Sequence, residues 1–126
     1  MKPTIHAQLS ARKYGGDWQE YLPIHEWFDQ TKAHIPDMRH RAILHSSFGI
    51  YLCTQVHGDW FENSTGRVIS VRDIGEEHII QDMGFIPTVQ DYLDGRNGEP
   101  GMPMHPWLGG LPSTTRIISM HDYIVD

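Results

Sequence analysis

The 126-residue sequence predicts a mainly α-helical single domain: a bundle of four or five helices with a small β-hairpin insertion and a candidate C-terminal strand. Three observations predict it. Apolar residues recur at three- and four-residue spacing around 22–36, 38–57 and 71–83, the period of a helix that buries one face. Pro36, Gly58 and Gly84 close those segments, because proline lacks a backbone donor and glycine turns the chain out of a helix. Between the last two segments, Asn63-Ser64-Thr65-Gly66 separates Trp60-Phe61 from Val68-Ile69, a turn flanked by strand formers.

The elements follow in order. Pro3 suits the first turn of a short helix, with Ile5 and Leu9 spaced for one buried face and Gly15-Gly16 ending it. Ile24, Trp27, Phe28 and Thr31 form the stripe of the second helix, which Pro36 ends. Asp37 reads as the N-cap of the longest helix, about residues 38–57, with a stripe through Leu44, Phe48, Tyr51, Leu52 and Gln55. After the hairpin, Ser70 with Asp73 starts a helix from Val71 to Met83, and Pro87-Thr88 opens a last short one, VQDYL. Trp18, Trp27, Phe28 and Trp60 read as core. From Asp94 the composition turns to Gly and Pro, and TTRIISMHDYIVD is β-branched and aromatic. The chain therefore divides into a helical domain, 1–94, and a Gly/Pro-rich arm with a C-terminal strand, 95–126.

The formal net charge is −6, and no Lys/Arg run exceeds Arg12-Lys13, so no nucleic-acid phosphate footprint is evident. A single cysteine, Cys53, excludes an internal disulfide and fits a reducing compartment. Its place between Leu52 and Thr54 in a helix reads as a buried, inert thiol. No apolar run approaches the roughly 20 residues that span a bilayer, and the N-terminus MKPTIHAQLS lacks a signal-peptide core. The expectation is a soluble, cytoplasmic protein.

Its chemistry is concentrated in histidine/carboxylate pairs. His78 and Asp82 in EEHIIQD are i,i+4 and share a helix face, as do His25 and Asp29. Facing helices of a bundle are where imidazole and carboxylate ligands converge. The expected metal ligands are His25, His45, His78 and Asp82, with Glu77 or Asp29 as general base and His6 and His40 in reserve. The donor set suits Zn, Mn, Fe or Ni. Such an ion lowers the pKa of a coordinated water, which points to a hydrolase of phosphoester or amide bonds. HExxH, HxxxH and CxxC are all absent, so the site, if formed, is assembled by the fold and not by a local motif. The alternative is structural: histidines beside a core stripe that only bond neighbours. In that case the protein is a non-enzymatic binding module, and Met102, Met104 and Trp107 in the arm are its contact with a partner protein or a second copy.

Four segments, HAQLSARKYGG, YLPIHEWFDQTK, RHRAILHSSFGIYL and NSTGRVISVRDIGEEHIIQDMGFIPTVQDYL, together resemble a family of small bacterial and phage proteins of unknown function. The resemblance covers about residues 6–93 and leaves the arm and tail outside it. Its pattern takes in the positions of His6, His25, Asp29, His40, His45, Glu77, His78 and Asp82, and implies no activity. A phage-encoded copy would open a role in host takeover or counter-defence.

Overall fold

A computed structural model describes residues 1–93 of the chain, the Met38 side chain apart. The predicted arm and C-terminal strand of 95–126 lie outside the described residues. Five helices and one hairpin follow each other: α1 (Pro3–Tyr14), α2 (Leu22–Asp29), α3 (Ser47–His57), β1 (Trp60–Glu62), β2 (Val68–Ser70), α4 (Val71–Met83) and α5 (Val89–Leu93). The fold is the expected one, mainly helical with a small antiparallel hairpin.

Helix α4 is the central element and packs against α1, α2 and α3. Its ends are those the sequence predicts. Ser70 Oγ accepts from the Asp73 amide, and Gly84 adopts φ +82° to close the last turn with an N–H to the Ile80 carbonyl. The hairpin pairs Trp60 with Ser70, Phe61 with Ile69 and Glu62 with Val68. Asn63 closes its turn by accepting from the amides of Thr65 and Arg67, the local bonding that favours Asn there. Tyr21, Phe28, Ile50, Ile74, Ile79 and Met83 form the core between the helices.

Four details differ from expectation. The long helix over 38–57 is broken. Met38–Ala42 is a 3₁₀ turn capped by Asp37, and α3 starts only at Ser47. Ser46 causes the break: its Oγ accepts from the Gly49 amide and donates to the Ile43 carbonyl, so a new N-cap forms inside the predicted helix. The stripe is rephased with it. Ile50 and Cys53 are buried, whereas Phe48 and Tyr51 are exposed. Helix α2 stops at Asp29 and continues as a 3₁₀ turn, Gln30–Ala33, before Pro36 is reached. In α1, Ile5 is exposed, and His6, Ala7 and Ser10 are the buried residues. Trp60 is exposed as well, while Trp18 and Trp27 pack partly buried against the core. Cys53 is buried, and burial pushes its thiol up to about 12.

The break makes Gly49 a testable position. A Cβ there would lie 1.8 Å from the Leu44 carbonyl oxygen. That is a backbone clash, which no side-chain rotation relieves. Gly49→Ala is expected to lower stability by about 2–4 kcal/mol despite the better helix propensity of alanine. Chemical denaturation read by circular dichroism checks it.

Candidate metal centre

Five histidines and two aspartates meet where α1, α2, α4 and the broken segment before α3 converge. His6 comes from α1, His25 and Asp29 from α2, and His78 and Asp82 from α4. His40 lies in the 3₁₀ turn, and His45 in the break before α3. All seven are buried or nearly so. So many polar groups in one core stay folded only if their donors and acceptors are paired or an ion is held between them.

The ring of His78 is clamped between His6, at 4.0 Å between centroids, and Phe28, at 5.0 Å. Gly75, one turn before it, admits Phe28 to this place, since a Cβ would meet the Phe28 ring at 2.9 Å. The two nitrogens of His78 then face different groups. Nδ1 meets His25 Nδ1 at 2.9 Å, and His25 Nε2 meets Ser10 Oγ at 2.8 Å. Nε2 faces His45, Asp29 and Asp82. Two proton arrangements serve the first chain of contacts. In one, Ser10 donates to His25 Nε2, His25 donates from Nδ1 to His78, and His78 Nε2 carries its proton toward the carboxylates. In the other, His78 donates from Nδ1 to His25 and His25 donates from Nε2 to Ser10, which leaves the Nε2 lone pair of His78 for an ion in the second group.

The second group has the dimensions of a coordination shell. The Nε2 atoms of His45 and His78 are 3.2 Å apart. Oδ2 of Asp82 is 3.0 Å from the first and 3.4 Å from the second. Oδ1 of Asp29 is 3.5 and 3.4 Å from the same two nitrogens. These are five of the six separations among four ligand atoms, all of which lie within 4.8 Å of one another. A regular tetrahedron with edges of about 3.3 Å has its centre about 2.0 Å from each corner, the length of a zinc–imidazole or zinc–carboxylate bond. Both oxygens of Asp29 and Nδ1 of His45 are buried with no hydrogen-bond partner. The imidazoles around Asp29 stay 3.4–3.7 Å away, beyond hydrogen-bond length. A buried carboxylate held only by long ion-pair contacts, from three imidazoles and Lys32, is an environment that suits a cation.

The charge states agree with this. Burial holds His45 below the ordinary imidazole range, lowers His78 to about 4, and lowers His25 to about 2. Burial opposes ionisation of Asp29 and Asp82. The facing rings of His40 and His78 at Asp29, and of His45 and His6 at Asp82, outweigh it and hold both carboxylates below their usual range. Neutral imidazoles and ionised carboxylates are the ligand forms a metal requires. In the metal-free protein the depressed histidines bind protons in the unfolded chain near pH 6.5 but not in the fold. Stability is therefore expected to fall as pH drops from about 6.5 through the value of about 4 for His78. The depressed aspartates add a further loss below about pH 4. Urea midpoints of the metal-free protein between those pH values check the slope.

The neighbours of this shell orient it. His6 Nε2 donates to Asp82 Oδ1 at 3.0 Å, which turns Oδ2 to the cluster. The Met1 amine lies 3.0 Å from the same Oδ1. His40 donates from Nδ1 to the Asp37 carbonyl at 2.8 Å, which fixes its tautomer and leaves Nε2 as an acceptor 3.7 Å from Asp29 Oδ1. A cleft of about 450 Å³ runs past Asp29, His40 and Asp82, with Lys2, Lys32 and Arg41 also in its lining. His45 and His78 are fully buried behind the two carboxylates. Asp29 and Asp82 are thus the ligand residues that reach the cleft lining, with both Asp29 oxygens themselves buried. A larger groove, about 600 Å³, lies along Phe48, Tyr51, Asp59 and Arg72 and includes none of these residues.

Of the expected ligands, His45, His78 and Asp82 come together, and the fourth corner is Asp29, not His25. His25 sits one turn before Asp29 on α2, so it reaches the far edge of the His78 ring and Asp29 reaches Nε2. His6, His25 and His78 form a second close group. Its outer nitrogens are already bonded, to Gln81 and Asp82 at His6 and to Ser10 at His25. Glu77, expected as a base, is engaged elsewhere: it accepts from Lys13 at 2.7 Å and from the Tyr14 hydroxyl, and ties α4 to α1. Sequence reasoning missed Ser10, Gln81 and Arg41. Ser10 stood one position beyond Leu9, which was placed on the buried face, and neither Gln81 nor Arg41 carried a signal.

Fold and site together define a small helical bundle with a His/Asp cluster at its centre. The chain belongs to the family described as a domain of unknown function, DUF6915, whose model matches residues 1–108. The match extends beyond residue 93, so the first part of the arm belongs to the family pattern and does not stand outside it. No curated protein and no solved structure matches the chain. Among the described residues, no helix is long and apolar enough to cross a membrane.

Proposed function

We propose that the protein binds one divalent transition metal ion, Zn, Mn, Fe or Ni, through Asp29 Oδ1, His45 Nε2, His78 Nε2 and Asp82 Oδ2, and uses it in hydrolysis. The observation that carries this reading is the buried Asp29 carboxylate, without a hydrogen-bond partner, grouped with His45, His78 and Asp82 so that one ligand atom of each lies within 4.8 Å of the others. Its position supports catalysis over a purely structural role. The carboxylate edge lines a cleft, so a four-coordinate ion can gain a fifth ligand there, and a six-coordinate ion keeps two positions open on that side. The ion would polarise the scissile group and lower the pKa of an incoming water. His40, with its Nε2 lone pair at the cleft wall, is placed to take the proton that Glu77 is too occupied to take.

The test uses full-length protein purified without an affinity tag. Elemental analysis should show close to one transition-metal ion per chain, natively or after reconstitution. Turnover of a chromogenic phosphoester or amide should vanish with a chelator and return with the ion. Absence of metal after reconstitution with all four candidates would remove this reading.

A further inference from the structure

Resting on that reading of the metal centre, we infer that the substrate is a phosphate ester, and that Lys2, Lys32 and Arg41 draw its phosphoryl group to the ion. The whole chain is acidic, with a formal net charge of −6. The cleft is not. Its lining balances Lys2, Lys32 and Arg41 against Asp29, Asp37 and Asp82. A divalent ion held by two of those carboxylates, with the Met1 amine also in the lining, leaves the cleft more positive than the surface around it. The third carboxylate, Asp37, is itself covered by Arg39, which donates from Nε to Oδ1 and from Nη2 to Oδ2.

The three cations differ in a way that suits an anion. Arg41 is buried, only 6 % exposed, and lines the same cleft as Asp29 and Asp82. A guanidinium at the floor presents planar donors to phosphate oxygens. Lys2 and Lys32 are exposed at the mouth, where long flexible ammonium groups attract an incoming anion. Lys32 Nζ stands 3.6 Å from Asp29 Oδ2, the oxygen turned away from the ligand cluster, so an anion seated on Lys32 is adjacent to the ion. An amide is neutral at its scissile group and gives this positive charge nothing to neutralise.

The step balances without a co-reactant beyond water. The water oxygen forms a bond to phosphorus as the bond from phosphorus to the ester oxygen breaks. The leaving oxygen takes the electron pair of the broken bond. One water proton passes by way of His40 Nε2 to that oxygen, giving an alcohol, and the other stays on the hydrogen phosphate.

The experiment titrates inorganic phosphate into zinc-loaded full-length protein by calorimetry, with the zinc content of the same sample measured first. Lys2→Gln and Lys32→Gln, both at exposed positions, are titrated alongside. Turnover of p-nitrophenyl phosphate is compared with that of a neutral p-nitroanilide. Expected are phosphate binding by the loaded protein, affinity about tenfold weaker or more in the metal-free protein and in each variant, and turnover of the phosphate alone. Zinc bound with no phosphate binding, unchanged affinity in both variants, or turnover of the anilide in preference would overturn this inference and leave the metal centre standing. A sample that takes up no zinc is loaded with Mn, Fe and Ni in turn, and uptake of none of the four would overturn the metal centre and this inference together.

Discussion

Replacing His78 with alanine is expected to empty the metal centre. His78 supplies one ligand of the proposed shell through Nε2 and anchors His25 through Nδ1. Loss of an outer-shell partner lowers metal affinity roughly 10–100-fold, and loss of a ligand costs more. His25→Ala removes only the outer partner, so it should lower affinity within that range and still fill at saturating metal. The ordering His78→Ala far below His25→Ala separates the Asp29 arrangement from one in which His25 is a ligand. His78 is fully buried between two rings, so alanine also leaves a cavity, worth about 2–5 kcal/mol by analogy with other large-to-small changes. Circular dichroism of both variants, with metal content by elemental analysis, keeps the two effects apart.

The second large effect is stabilisation by the ion. A ligand that binds only the folded state contributes about 4 kcal/mol at a thousandfold excess over its dissociation constant. For a domain of this size that is a rise in melting temperature on the order of 10–20 °C. The rise should be present in the wild type and absent, or nearly so, in Asp29→Asn and Asp82→Asn, which keep the shape of the side chain and remove its charge. Both carboxylates are in the proposed shell and lie on different helices, α2 and α4. An equal loss from both changes is thus evidence that one ion bridges the two helices. A shift that survives Asp29→Asn would mean that the ion sits elsewhere.

Much of the fold could be read from local signals, because helix ends here are set by side chains near in sequence. Ser70 caps α4, and Gly84 stops it in the left-handed region. Asn63 and Gly66 turn the hairpin. The break before α3 was missed although its cause is local, because Ser46 falls inside a stretch whose apolar residues continue at helical spacing. Gly49 lets the Leu44 carbonyl fold back across the first turn of the helix, and Ser46 then caps it. The expected N-cap, Asp37, caps a 3₁₀ turn of five residues instead. That break also moves His45. In a continuous helix His40 and His45 would lie about 140° apart on one cylinder, whereas here the two rings meet edge to face at 5.7 Å beside Asp29.

The site was partly legible for a related reason. His78 and Asp82, and His25 and Asp29, are pairs that helix geometry alone puts on shared faces. Which member of the α2 pair reaches the cluster depends on the depth at which α2 packs on α4, and that is set by Phe28 entering at Gly75. No spacing within α2 encodes that depth. The buried face of α1 was hard to see for another reason. Two of its three buried residues are polar, His6 and Ser10, so hydrophobic periodicity understates it.

The central claim is that one ion sits among Asp29, His45, His78 and Asp82. X-ray absorption spectroscopy of the zinc-loaded protein tests it most directly, because it counts and types the atoms around the metal. The account predicts an inner shell of nitrogen and oxygen at about 2.0 Å with the outer scattering of two imidazole rings. A shell of oxygen alone, or one with three or four imidazoles and no carboxylate, would contradict it.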